Sequence, residues 1–135
     1  MQKYKLHLLF FILFLRYLTH NTQFTTNMVD VILGLQFGDE GNGKIVDYFA
    51  KNYDVIARLQ GRPNTGHTLY IDGKKIVLHQ IPAGIFHENK INLIGNGVVL
   101  DPVILKKECD SVAARGIDYR KNLFISQRAH LILPT

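Results

Sequence analysis

Apolar and polar positions change period several times along the chain. Residues 6–15, LHLLFFILFL, are almost wholly apolar. From Met28 onward the pattern is that of a folded domain. Residues 29–35, VDVILGL, are short, rich in β-branched side chains and interrupted by glycine, and read as a buried strand. A glycine-rich loop follows at residues 38–44. Residues 45–51 then space their apolar side chains for a helix, with Asn52 as a stop. Residues 55–59 read as a second strand. Strand, loop, helix and strand make a parallel βαβ unit, right-handed by default.

The middle of the chain has a different rhythm. Two alternating runs, residues 68–71 and 75–79, flank Asp72-Gly73, a strong hairpin signal. Residues 91–94 and 98–100 read as strands separated by a turn at Gly95-Asn96-Gly97. Asp101 suits a helix cap and Pro102 its first turn, so a helix is predicted to run to about Arg115 and to stop at Gly116. Residues 123–125 and 131–133 complete the set of strands. Neither repeats nor linkers divide this region, and it stops just after a strand, so residues 28–135 are expected to form one incomplete α/β domain.

Composition alters this picture only at the amino end. Apolar and charged fractions of 47% and 20% are those of a globular protein. The net charge of +5 is concentrated in residues 1–27, which hold Lys3, Lys5 and Arg16 and no acidic residue. In the remainder 13 of the 16 basic side chains stand against 11 acidic ones, a net of +2. No basic patch interleaved with aromatics is left to grip a phosphate backbone, and nucleic acid is not an expected partner. Residues 1–27 read as a leader. Its apolar stretch of about ten residues is far short of the ~20 that span a bilayer as a helix, so no stable membrane contact is expected. Lys3 and Lys5 before it suit a secretory signal, although no small-x-small cleavage site follows. An upstream extension ahead of a start at Met28 is the favoured reading; a signal peptide and an anchor are the alternatives. The single cysteine, Cys109, excludes an intrachain disulfide and reads as a buried, inert thiol on a helix.

Two segments carry chemistry. Residues 38–44, GDEGNGK, fit G-x-x-x-x-G-K between a strand and a helix. Glycines let backbone N–H groups point inward, a helix amino terminus adds positive potential, and a lysine reaches terminal phosphates. The bland alternative is a glycine-rich turn with a solvated lysine. Ile45 stands where a P-loop usually has the hydroxyl ligand of magnesium, so a bound metal needs another ligand, and Asp39 is the natural candidate. The second segment, residues 61–68, GRPNTGHT, follows the second strand, where α/β sheets bind ligands. There His67 is a candidate acid near neutral pH, and Asn64 and Thr68 offer hydrogen bonds. On its own such a histidine is usually structural or merely exposed, and His79, His87, His130, His7 and His20 are read that way.

Together these segments resemble the adenylosuccinate synthetase family. The matching residues are Gly34-Leu35-Gln36-Phe37-Gly38-Asp39-Glu40-Gly41, Gly43-Lys44-Ile45-Val46-Asp47, Asn64 and Gly66-His67-Thr68. Val77-Leu78-His79-Gln80-Ile81-Pro82, Gly84-Ile85 and Ile94-Gly95-Asn96-Gly97-Val98-Val99-Leu100 agree as well. The resemblance implies a P-loop-NTPase-like parallel sheet with a βαβ start and an inserted β-hairpin, of which the chain holds the first portion. It implies a cytoplasmic, homodimeric ligase of purine biosynthesis that joins IMP to L-aspartate using GTP and magnesium, forming adenylosuccinate. The fragment alone is expected to be inactive, and a non-catalytic nucleotide-binding remnant is the alternative. By resemblance Asp39 is the base that takes the N1 proton of IMP, and His67 the acid that helps move the γ-phosphoryl group to O6. GTP would be met by Gly38, Asp39, Glu40, Gly41, Asn42, Gly43, Lys44, Gly66, His67 and Thr68. IMP would be met by Asp39, Glu40, Gly41, Asn42, Asn64, Thr65, Gly66 and His67. Magnesium would be held by Asp39 and the Gly66 carbonyl. Three residues depart from the family's pattern: Asn42 stands where lysine is usual, and Arg62 and Thr65 replace glycine and alanine. Removing a charge-assisted hydrogen bond to phosphate costs ~1.5–3 kcal/mol. Arginine at 62 would be strained by ~1–3 kcal/mol if that backbone needs a positive φ.

Overall fold

The computed structural model describes residues 29–35, 41–64, 66–71 and 73–133. The leader lies outside the described residues. The chain divides into two units, Met1–Glu40 and Gly41–Thr135. In the first, residues 29–35 have neither helix nor strand, and Val29, Val31, Leu33 and Leu35 are exposed. The buried strand expected there is not formed. β-branched composition marks what a segment does once a neighbour supplies its ladder; without ladder bonds an apolar run stays irregular.

In the second unit the elements follow one another as α1 (Asn42–Ala50), β1 (Val55–Gly61), β2 (His67–Ile71), β3 (Lys74–Leu78), β4 (Ile91–Leu100), α2 (Pro102–Ala113), β5 (Leu123–Ile125) and β6 (His130–Leu131). Short 3-10 helices lie at Ala83–Phe86 and Tyr119–Lys121. A parallel sheet has the order β1-β4-β5, with β6 pairing the far end of β4. The helical crossover between hydrogen-bonded parallel strands is therefore β4-α2-β5, further along the chain than the unit expected around α1. α2 begins as its sequence demands: the Asp101 carboxylate accepts from the amides of Val103 (2.8 Å) and Ile104 (3.1 Å), with Pro102 at the first turn.

The antiparallel hairpin β2-β3 forms at the place that Asp72-Gly73 predicted, each strand beginning one residue earlier than expected and β3 ending before His79, with His67 opposite Leu78 and Gly73 at φ 74°. The turn expected at Gly95-Asn96-Gly97 is absent, because β4 runs straight through it. The pairing shifts register there, between Arg58 and Gln60 of β1. A Cβ on Gly97 would sit 2.5 Å from the Leu59 carbonyl oxygen, and one on Gly95 3.0 Å from a Leu59 methyl. These glycines serve a close approach of two strands, not a reversal.

Leu69, Ile76, Leu78, Ile81, Ala83, Ile85, Cys109 and Val112 form the main core between the hairpin and α2. Ile94, Val98 and Leu100 of β4 form a smaller one, and Leu105 and Leu123 pack against both. Among the described residues no helix is long and apolar enough to cross a membrane.

Candidate nucleotide site

Gly41 occupies the N-cap of α1 in the left-handed region, at φ 85° and ψ 29°. Its carbonyl accepts from the Lys44 amide at 2.9 Å. Glycine takes this conformation without the steric penalty a Cβ brings. Asn42 and Gly43 thus open the helix, where free N–H groups and the helix dipole favour an anion. Lys44 is exposed and its Nζ lies 5.7 Å from the Tyr70 ring centroid, a cation–π arrangement with the hairpin. The remaining loop residues assigned to nucleotide, Gly38, Asp39 and Glu40, lie outside the described residues.

The second segment meets the first. Gly43 is buried against His67: a Cβ on it would be 2.6 Å from His67 Cβ, 2.9 Å from Cγ and 3.0 Å from Nδ1. His67 opens β2, with Thr68 next, and both are half-buried. Burial holds the His67 imidazole below the usual histidine range, and the charges of Arg58 and His79 push the same way. Asn64 and Gly66 are exposed on the connecting loop; Thr65 lies outside the described residues. A Cβ on Gly66 would meet Val77 Cγ1 at 2.6 Å and His79 Cε1 at 3.1 Å, so the loop lies against the hairpin's exit.

The strain considered for Arg62 does not arise. The positive φ of this loop, 118°, belongs to Gly61, and among the described residues Asn89 is the non-glycine residue with positive φ. The substitution stands one position beyond the glycine that the turn requires.

Several residues escaped the sequence reading. Arg58 donates from Nη1 to the His79 carbonyl and from Nη2 to that of Arg62, the latter at 3.3 Å. Glu108 of α2, 6% exposed, accepts from the amides of His79, Gln80 and Ile81. Gln80 exchanges two bonds with the Asp101 backbone, at 2.9 and 2.7 Å. The signals were an arginine inside a strand and a glutamate on the helix stripe Leu105, Glu108, Cys109, Val112. His87, read as a structural or merely exposed loop residue, pairs Nε2 with Asp47 of α1 at 2.8 Å.

The magnesium donors implied by resemblance, a carboxylate at Asp39 and the Gly66 carbonyl, are hard oxygens of the kind this ion takes. Among the described residues no cluster of three His, Cys, Asp or Glu side chains offers a competing site.

Residues 31–135 match the adenylosuccinate synthetase family model. Adenylosuccinate synthetase from Christiangramia forsetii is 64% identical over 107 residues, covering 79% of this chain and 25% of that protein. The one from Parabacteroides distasonis is 63% identical over the same span. The chain spans about a quarter of the length of the curated relatives it matches. Among solved structures, fully ligated adenylosuccinate synthetase from Plasmodium falciparum superposes with a TM-score of 0.65 at 37% identity, covering 72% of this chain and 22% of that one. Cyanophage S-2L succinoaminodeoxyadenylate synthetase, bound to dGMP and dATP, gives 0.51 at 26% identity, covering 69% of this chain and 26% of that one.

Proposed function

This chain belongs to the adenylosuccinate synthetase family, and on that premise we propose that it supplies the phosphate-binding and IMP-binding part of a GTP-dependent ligase joining IMP to L-aspartate. The observation that carries this reading is the packing of Gly43 on His67. It sets a helix amino terminus, which attracts phosphate, beside a titratable group.

Phosphoryl transfer asks a protein for positioning and charge stabilisation more than for covalent help. The amides at Asn42 and Gly43 and the Lys44 ammonium would hold the GTP phosphates. Lys44 would leave the Tyr70 ring to do so. Free His67, with its proton affinity lowered, is mostly neutral at pH 7 and offers one N–H to the phosphoryl oxygen or to O6. The negative charge of bound phosphate would raise that affinity and let the ring act as an acid. Asp39 would take the N1 proton of IMP and, with the Gly66 carbonyl, hold Mg2+. Bound there, the ion would neutralise phosphate charge. Asn64, Thr65 and Gly66 would contact IMP, and Thr68 would contact GTP. Cytoplasmic location and homodimerisation are proposed on the same resemblance. Residues 1–27 are proposed as a leader outside the family domain.

A second reading, a nucleotide-binding remnant without catalysis, is favoured by one residue, Asn42, which removes a cation from the loop. Both readings require nucleotide binding. Isothermal titration of the chain with GTP plus Mg2+, and separately with IMP, tests it. Saturable binding is expected, weakened about tenfold or more by Lys44→Ala, since that substitution removes one charge-assisted hydrogen bond. No heat with either nucleotide would count against both readings.

A further inference from the structure

We propose that Arg58 and Glu108 are positioning residues for the connection between β1 and β2, gripping both main-chain polar groups of His79 so that Asn64, Gly66 and His67 are presented to nucleotide. The inference rests on the function proposed above.

Arg58 sits within β1, and its guanidinium reaches two points far apart in sequence. Nη1 donates to the His79 carbonyl, beyond the hairpin, and Nη2 to the Arg62 carbonyl, at the start of the loop. From the other side Glu108 takes the N–H of His79, and its Oε2 takes those of Gln80 and Ile81 at 3.0 Å each. A half-buried cation and a buried anion are thus joined through the backbone of one residue. Burial pulls the Arg58 guanidinium below its usual range, and the Glu108 carboxylate partly restores it. His79 is well placed to act on the site. Its neighbour Leu78 is the ladder partner of His67, and its ring lies against Gly66. Apolar packing reaches this segment at Gly66, which lies against Val77, but not at its start. A cleft of about 330 Å³, whose lining includes Val77, Leu78, His79, Ile104 and Glu108, lies beside Pro63. The polar ties therefore fix the start of the segment, at Arg62, to the hairpin's exit at His79.

The test compares Arg58→Met, Arg58→Lys and Glu108→Gln with the parent chain by backbone 15N relaxation and by titration with IMP. In the parent, order parameters at Arg62, Asn64 and Gly66 are expected near the ~0.85 of rigid backbone. In Arg58→Met they are expected below ~0.6, with those of β4 unchanged. Arg58→Lys, which keeps the charge but reaches one carbonyl at a time, is expected between the two. IMP affinity is expected to fall about tenfold in Arg58→Met, which removes one charge-assisted link. A loop as rigid in Arg58→Met as in the parent would overturn the proposal, and so would equal loosening of β4 and the loop. If Arg58→Met does not fold, the Arg58→Lys and Glu108→Gln comparisons decide on the same criterion. If the parent binds no IMP, the functional reading fails while the relaxation data still decide the positioning role.

Discussion

Gly43, at the start of α1, and His67, the first residue of β2, lie so close that a methyl group on Gly43 would stand 2.6 Å from His67 Cβ. They are 24 positions apart and belong to two separate sequence segments. The glycine is needed here for the absence of a side chain, since the obstructing atom is a Cβ that no rotamer can move. Gly43→Ala is therefore expected to cost about 1–3 kcal/mol through overpacking. Urea denaturation monitored by circular dichroism measures it; an unchanged midpoint would mean that α1 shifts freely away from the hairpin.

Asn42 is half-buried at the first position of α1, beside the same glycine. Asn42→Lys would restore the cation usual in the family. An increase in GTP affinity of about tenfold or more is expected, as for one added charge-assisted hydrogen bond. Calorimetric titration of both versions decides, and equal affinities would place residue 42 away from the phosphates.

The imidazole of His67 should titrate low. Burial is the main cause, and Arg58 and His79 add to it. Its folded-state value lies below the unfolded one, so the stability it contributes is whole above about pH 6.5 and is lost as pH falls through the folded value. Proton NMR of the His67 ring, in the native chain and in denaturant, is expected to give the lower midpoint in the native state. A native midpoint equal to or above the denatured one contradicts the site as described.

Cys109 faces the main core from α2, and burial pushes its thiol up, with Glu108 and Asp110 adding to the effect. Alkylation by iodoacetamide at pH 8 is expected to be about tenfold or more slower in the native chain than in denaturant, because the thiolate is the nucleophile. Matching rates would show that α2 does not stay docked.

Local chemistry was legible where it decides the outcome alone. Asp72-Gly73 specifies a tight reversal, and Asp101-Pro102 a helix start; the hairpin and the helix form where the pattern placed them. The strand at residues 29–35 and the turn at residues 95–97 were misread because both depend on partners distant in sequence. Apolar alternation cannot say whether a ladder is available. A Gly-Asn-Gly triplet looks the same whether it turns or lets a neighbouring strand come close. At the site, the motifs located His67 and the start of α1. The sequence could not show that Gly43 touches His67, nor that Arg58 and Glu108 grip His79, because those interactions join residues 21 to 29 positions apart.

The most direct measurement is adenylosuccinate formation, followed by absorbance with IMP, L-aspartate, GTP and Mg2+ supplied. It would use the Christiangramia forsetii synthetase with its matched segment replaced by the corresponding residues of this chain. Turnover is expected in the chimera carrying Asn42→Lys. Asp39→Asn and His67→Ala should each reduce kcat by about 100-fold or more while changing GTP affinity far less, because acid and base act mainly on the transition state. A His67→Ala chimera working at the unsubstituted rate would contradict the account.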